Sequence, residues 1–211
     1  MTITTTHLAR AAGLGAVVAG ALFIGVQINH PPLDLALVTS PEWTIRQSVK
    51  IVMAVLSLAG ITAMYLTQVR RNGLLGLVGY LIFGAGYLAM LTIEVAALVV
   101  LPVIAATSPG YVNDVLAGAM GRPTVGSVGL MVPLSLVSGL GYMVGGLVFG
   151  IALVRAGVLS RWASVLLAVA TTVTMAIPLL PMINQRLFAV PTGLAMMGLG
   201  LSLWRTLGVT R

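Results

Sequence analysis

The chain has no cysteine among its 211 residues, and it has few charged side chains. Without cysteine, disulfide scaffolds, thiolate metal sites and thiol nucleophiles are excluded. Only 7% of the residues are charged and 59% are hydrophobic. In an ordinary soluble domain, about 25% of the residues are charged and roughly 45–50% are apolar. This composition excludes a soluble core.

The charge that is present is basic but scattered. Eleven Lys and Arg residues stand against four Asp and Glu residues, and no basic run is long enough to follow a nucleic-acid backbone. We therefore expect membrane lipids as partners, and no nucleic acid. The basic residues are expected to set the orientation in the bilayer.

Long apolar stretches predict an all-α, polytopic membrane fold. A helix needs roughly 20 residues to cross about 30 Å of hydrocarbon. A transmembrane β-barrel would need alternating apolar and polar residues, which the continuous apolar run over 95–101 lacks. We predict one integral membrane domain over 1–211, a bundle of six transmembrane helices. The predicted spans are 9–28, 46–69, 73–104, 126–154, 158–180 and 187–205.

The first span has a second interpretation as a secretory signal. Arg10 precedes the apolar stretch, and residues 19–21 resemble a small-residue cleavage site. However, apolar sequence continues through 22–26, which favours a retained membrane anchor.

The distribution of Lys and Arg at the ends of the spans predicts the orientation. One side carries seven of these residues, namely Arg10, Arg70, Arg71, Arg155, Arg161, Arg205 and Arg211. The opposite side carries four, namely Arg46, Lys50, Arg122 and Arg186. This difference places both termini in the cytoplasm and predicts a multi-pass protein of the cytoplasmic membrane.

Two loops on the predicted outer side, at about 29–45 and 105–125, are long, whereas the cytoplasmic connections are tight turns. Long loops often carry function. Ser108 followed by Pro109 is typical of a helix start, and the apolar residues after it share one helical face, opposite Asn113 and Asp114. This pattern predicts a short interfacial helix on the outer membrane surface.

The fourth span contains two glycine pairs with a spacing of four residues, at 141/145 and 146/150. Such faces allow helix backbones to approach closely in lipid. We expect packing within the chain, and a homo-oligomer formed through this face is the alternative.

A polar pair follows from the geometry of the hairpin formed by spans 2 and 3. The chain turns near residues 71–72, so Lys50 and Glu94 lie at nearly the same depth, about 22 residues from the turn and roughly 33 Å away. Both are therefore near the outer hydrocarbon boundary. Because a lone charge there is costly, we predict that Lys50 and Glu94 form an ion pair. The alternative is that Lys50 extends to the surface while Glu94 is protonated or solvated by the loops.

The long outer loops would cover a cavity beside this pair. Glu94 is the candidate catalytic acid, and Asp114 is the only other acid that could assist it. The candidate binding residues are Lys50, Arg46, Trp43, His30, Asn184 and Arg186.

Several kinds of site are excluded. His7 and His30 lie about a membrane thickness apart, so they cannot both bind one haem. The sequence contains no HExxH, paired-carboxylate or Cys/His metal motif, and the membrane serines have no histidine in the same leaflet with which to form a triad. We expect no metal and no cofactor.

Two segments resemble a known group of proteins. The stretch from 42–43 through 65–70, then 73–80, and the stretch 150–162 are similar to a widespread family of small bacterial, mainly actinobacterial, six-helix membrane proteins of unknown function. The resemblance covers spans 2 to 5 and implies the same topology. It transfers no catalytic residue.

Three functions remain open at this point. The first is binding of a lipid-like or amphipathic molecule, or of a partner, at the outer face. The second is an intramembrane enzyme for acid-initiated isomerisation or cyclisation of an isoprenoid, with Glu94 as the acid. The third is a small-molecule exporter, for which helices broken by proline are suggestive.

Overall fold

The computed structural model describes residues 2–174, 187 and 189–208. These residues form helices and no strand, which confirms the all-α prediction. The helices are α1 (Thr5–Gly25), α2 (Leu35–Val38), α3 (Pro41–Leu66), α4 (Val69–Val99), α5 (Leu101–Ile104), α6 (Pro109–Ala119), α7 (Met131–Ala156), α8 (Arg161–Val173) and α9 (Ala189–Thr206).

Among the described residues, four helices are long and apolar enough to cross a membrane, namely α1, α3, α4 and α7. They correspond to the first four predicted spans. The fifth predicted span, 158–180, contains α8 but also extends over 175–180, outside the described residues. The sixth, 187–205, coincides with α9. The chain is therefore compatible with a membrane protein, while six spans and cytoplasmic termini remain predictions.

The second span begins earlier than predicted, at Pro41 instead of residue 46. Ser40 caps the helix by accepting a hydrogen bond from the backbone N–H of Trp43 at 3.3 Å, and Pro41 occupies the first turn. The helix is thus longer at its start than the predicted span, and the position of the span within it remains a prediction.

The helices in the third and fourth predicted spans also differ from those spans in their limits. The third, 73–104, is interrupted: α4 starts at Val69, bends at Gly73 with a φ of 57°, and ends before Pro102. Proline has no N–H for the helix ladder, which accounts for the break at the end of α4. The fourth, 126–154, begins only at Met131, because Gly129 adopts a left-handed φ of 59° in the preceding loop.

Helices that follow one another along the chain pack side by side. α1 packs on α3, α3 on α4, α4 on α7, α7 on α8 and α8 on α9, and α9 packs back on α1. We name the two ends of this bundle by their connections. The loop end carries residues 26–40 and 100–130, and the turn end carries the connections at 67–68 and 157–160.

Glycine allows the backbones of α4 and α7 to touch. A Cβ at Gly86 would lie 2.6 Å from the backbone nitrogen of Tyr142, and a Cβ at Gly145 would collide with the backbone of Phe83. A Cβ at Gly150 would likewise lie 2.8 Å from the backbone nitrogen of Ala168 on α8. The glycine pairs of the fourth span are thus used for packing within the chain. A homo-oligomer through this face remains a prediction.

Buried side chains form two clusters. The larger fills the space between the long helices and includes Phe83, Tyr87 and Phe149. The second, which we call the loop-end cluster, joins α2 and α6 to the ends of α3 and α4. It consists of Leu37, Val38, Trp43, Ala97, Leu101, Ala105, Val112, Val115, Leu116 and Val128.

The short helix predicted after Ser108 is present as α6, which begins at Pro109. Its buried residues Val112, Val115 and Leu116 belong to the loop-end cluster, whereas Tyr111, which was expected on the same face, is exposed. The apolar face of α6 therefore rests on the protein itself. Contact of α6 with a membrane surface remains a prediction.

Candidate functional site

Lys50 and Glu94 form an ion pair between α3 and α4. The Lys50 Nζ lies 3.4 Å from Oε2 of Glu94, so the predicted interaction is confirmed. The two side chains are 19% and 15% exposed. Since each charge offsets the desolvation of the other, the pair accounts for two ionisable groups within apolar helices.

Both partners keep unused hydrogen-bonding capacity. Among the described residues, Lys50 donates only the bond to Oε2, and Oε1 of Glu94 accepts no bond. An ammonium group has three donors, and a carboxylate has acceptor sites on both oxygens. The pair can therefore bind a further group without giving up its own contact.

A cavity of about 600 Å³ lies next to this pair, bounded by α1, α3, α4, α6 and α7. Its wall is mostly apolar and includes Phe23, Met53, Met90, Ile93, Met131 and Val132. Gln27, Ser135 and Ser138 add polar atoms. A mostly apolar wall with a few convergent polar groups is typical of sites for small organic ligands.

Residues of the loop end form part of the wall of this cavity, which is about half open. Val115 and Ala119 of α6 line it, as does Val128 from the loop that follows. Asp114 holds that loop, because its two carboxylate oxygens accept hydrogen bonds from the backbone N–H groups of Val125 and Gly126, each at 2.8 Å. Asp114 does not line the cavity, so its observed contacts are those of a loop anchor. Its catalytic role remains a prediction.

Arg46 binds the end of α1. It pairs with Glu42 at 2.8 Å and donates hydrogen bonds to the carbonyl groups of Val26 at 2.9 Å and Asn29 at 2.8 Å. Carbonyl groups at a helix C-terminus lack partners within the helix, and a guanidinium group satisfies them well. Arg46 does not line the cavity.

Trp43 and His30 lie outside the cavity wall as well. Trp43 is buried in the loop-end cluster, and its Nε1–H donates to the Ala97 carbonyl at 2.9 Å. His30 has its Nδ1 2.8 Å from the Pro31 carbonyl oxygen. Asn184 and Arg186, the other predicted binding residues, lie outside the described residues. Within the described part of the chain, no group of three or more His, Asp or Glu side chains could hold a metal ion.

The sequence analysis does not predict the polar residues that lie deeper in the bundle. Ser57 and Tyr87 are buried two helical turns below Lys50 and Glu94, on the same helix faces. The Tyr142 hydroxyl bonds to Oγ1 of Thr192 at 2.8 Å. The sequence feature that could have indicated them is the spacing of seven residues, or two helical turns, from Lys50 to Ser57 and from Glu94 to Tyr87. It indicates a polar layer beneath the cavity.

Comparison with known proteins found no matching family model, curated protein or solved structure. The resemblance to the six-helix bacterial family therefore remains a prediction. The geometry of the cavity and its ion pair carries the functional argument.

Proposed function

We propose that this chain is a membrane protein that binds a lipid-like or amphipathic small molecule in the cavity at its loop end. The observation that carries the proposal is the combination of a half-open, mostly apolar cavity of about 600 Å³ with an ion pair in its wall. In the predicted orientation, this cavity serves the outer leaflet.

The chemistry of the wall supports an amphipathic ligand. Burying apolar surface away from water contributes about 25 cal/mol per Å² to the binding free energy. The methionine side chains of the wall and Phe23 offer such a surface. Met53 and Met90 also suit an irregular hydrocarbon chain, because methionine side chains are flexible and polarisable. Lys50 and Glu94 supply a fixed polar point for the head of the ligand.

A second candidate is an enzyme that isomerises an isoprenoid by protonating a double bond. It is supported by Glu94, whose carboxylate lines the cavity with one oxygen free of hydrogen bonds among the described residues. Two observations favour binding over catalysis. An acid role needs a proton on Glu94, whereas the salt bridge uses the carboxylate, and both oxygens of Asp114 already bind backbone groups.

Filling the cavity tests the proposed function. Gly139 lines the cavity, and a Cβ there would meet nothing within 4 Å. Gly84 of α4 is equally open but does not line the cavity. We expect Gly139→Leu to weaken binding of a fluorescent acyl-chain probe at least tenfold, because the new side chain occupies the ligand volume. Gly84→Leu is the matched control and should bind like the unmodified protein.

Lipid mass spectrometry on the detergent-purified chain gives an independent result. We expect one amphiphile to co-purify with the unmodified protein and with Gly84→Leu, but not with Gly139→Leu. Equal probe binding by both leucine variants would overturn the proposal. Glu94→Gln separates the second candidate, since loss of an isomerised product from a variant that is folded and still binds the amphiphile would favour the enzyme.

A further inference from the structure

We infer that the ligand of this cavity has a zwitterionic head with a primary ammonium group, carried on a single apolar chain. The inference rests on the proposed function and specifies the class of molecule bound there.

The charges of the site favour a head with no net charge. Lys50 and Glu94 lie 3.4 Å apart, so a single anion that approached Lys50 would also approach the Glu94 carboxylate. A single cation that approached Glu94 would be repelled by the Lys50 ammonium group. In partly buried surroundings, removing one partner from a charge pair leaves the other uncompensated. A zwitterion places its anion beside Lys50 and its cation beside Glu94, and so leaves the existing pair intact.

The hydrogen-bonding groups distinguish between zwitterions. Lys50 offers donors that suit a phosphate or carboxylate oxygen, and Oε1 of Glu94 offers an acceptor without a partner among the described residues. A primary ammonium can donate to that acceptor, whereas a quaternary ammonium has no N–H. Hydrogen bonds between charged groups are about twice as strong as those between neutral groups. The site should therefore favour a phosphoethanolamine-like head over a phosphocholine-like head.

The volume favours a single chain. The cavity is about half open, and at about 30 Å³ for each water-sized group its volume of about 600 Å³ encloses about 20 non-hydrogen atoms. A dodecyl chain with a phosphoethanolamine head is of this size, whereas a lipid with two long chains is more than twice as large.

The test compares dodecyl compounds that differ only in the head. Dodecylphosphoethanolamine, dodecylphosphocholine, dodecyl phosphate and dodecylamine are titrated into the full chain in a sugar-headed detergent. Native mass spectrometry counts the bound molecules, and competition with the acyl probe gives affinities. We expect the phosphoethanolamine compound to bind about tenfold more tightly than the phosphocholine compound. Dodecyl phosphate and dodecylamine, whose heads carry charge of one sign only, should bind more weakly still, and a two-chain phosphatidylethanolamine should compete poorly.

Variants of the ion pair should change this order in opposite directions. Lys50→Met leaves an unpaired carboxylate and should favour dodecylamine, and Glu94→Gln leaves an unpaired ammonium and should favour dodecyl phosphate. Should either single variant fail to fold, the double variant Lys50→Glu/Glu94→Lys keeps a pair of reversed polarity. It should restore the preference for zwitterions.

The outcomes separate this inference from the proposed function. If the compounds bind in the cavity, as Gly139→Leu reports, but with affinities independent of the head, the inference is wrong and the proposed function stands. If the two-chain lipid binds as tightly as the dodecyl compound, the single-chain part is wrong. If neither the dodecyl compounds nor the acyl-chain probe bind to the folded protein, the proposed function itself is wrong.

Discussion

The indole nitrogen of Trp43 donates a hydrogen bond to the backbone carbonyl of Ala97, 2.9 Å away on the neighbouring helix. This bond joins the first turn of α3 to the last turn of α4, where carbonyl groups lack partners within their own helix. It also lies two helical turns from the Lys50–Glu94 pair on α3. The contact between Trp43 and Ala97 therefore holds the loop-end part of the hairpin that positions the ion pair.

Replacing Trp43 with phenylalanine tests this role. We expect Trp43→Phe to lower the free energy of unfolding by about 1–3 kcal/mol, because the buried carbonyl of Ala97 loses its donor. Unfolding in mixed detergent micelles, followed by helix content, gives the measurement. Trp162 is 60% exposed, so Trp162→Phe serves as the control and should have little effect. Equal stability of the two variants would contradict the structural role of the bond.

The hairpin shows how much of the site could be read from the sequence. A helix rises by about 1.5 Å for each residue, so counting from the turn fixes the depth of Lys50 and Glu94. The predicted contact between these two side chains is confirmed, since the Lys50 Nζ lies 3.4 Å from Oε2 of Glu94. Depth is thus a property that a single sequence specifies well when two helices are joined by a short turn.

Counting residues does not determine the packing of the loops or the direction of each side chain around its helix. Arg46 lies one turn from Lys50, yet it faces the end of α1 and binds the Val26 carbonyl. Trp43, a candidate binding residue, is instead buried against residues of α2 and α6. The contact of Asp114 with Val125 and Gly126 depends on how a loop folds back. These positions follow from tertiary contacts that no local pattern encodes.

Packing of α4 against α7 gives a second prediction. A Cβ at Gly86 would lie 2.6 Å from the Tyr142 nitrogen and 2.7 Å from the Gly141 carbonyl carbon. Because both atoms belong to the backbone, the helices must move apart, and we expect Gly86→Ala to cost about 1–3 kcal/mol of stability. Gly84→Ala places its methyl group in open space and should be neutral or stabilising by up to about 1 kcal/mol. The prediction fails if both variants unfold at the same detergent composition.

The loop over the cavity gives a third prediction, which concerns dynamics. Asp114→Ala removes both acceptors for the backbone N–H groups of Val125 and Gly126. We expect faster hydrogen exchange in a peptide covering these residues, and faster release of the acyl probe, because the loop borders the cavity. Asp114→Asn keeps one acceptor oxygen and should be intermediate. Unchanged exchange in Asp114→Ala would show that the loop is held by other contacts.

The bond between Tyr142 and Thr192 gives a fourth prediction, for the polar layer beneath the cavity. These side chains join α7 to α9 through a buried hydrogen bond of 2.8 Å. Tyr142→Phe and Thr192→Val, alone and together, form a double-mutant cycle. In membrane proteins such bonds contribute about 0.6 kcal/mol on average and at most about 1.7 kcal/mol, so we expect a coupling energy within that range.

Tyr87 supplies the matched control for this cycle. Its hydroxyl is fully buried and interacts with Ser57, but it has no hydrogen bond of normal geometry among the described residues. Removing a hydroxyl that makes no hydrogen bond of normal geometry should cost less than removing one that forms a 2.8 Å bond. Tyr87→Phe should therefore reduce stability less than Tyr142→Phe. A larger loss in Tyr87→Phe, together with zero coupling between Tyr142 and Thr192, would mean that the polar layer is held together through Ser57 and Tyr87 instead.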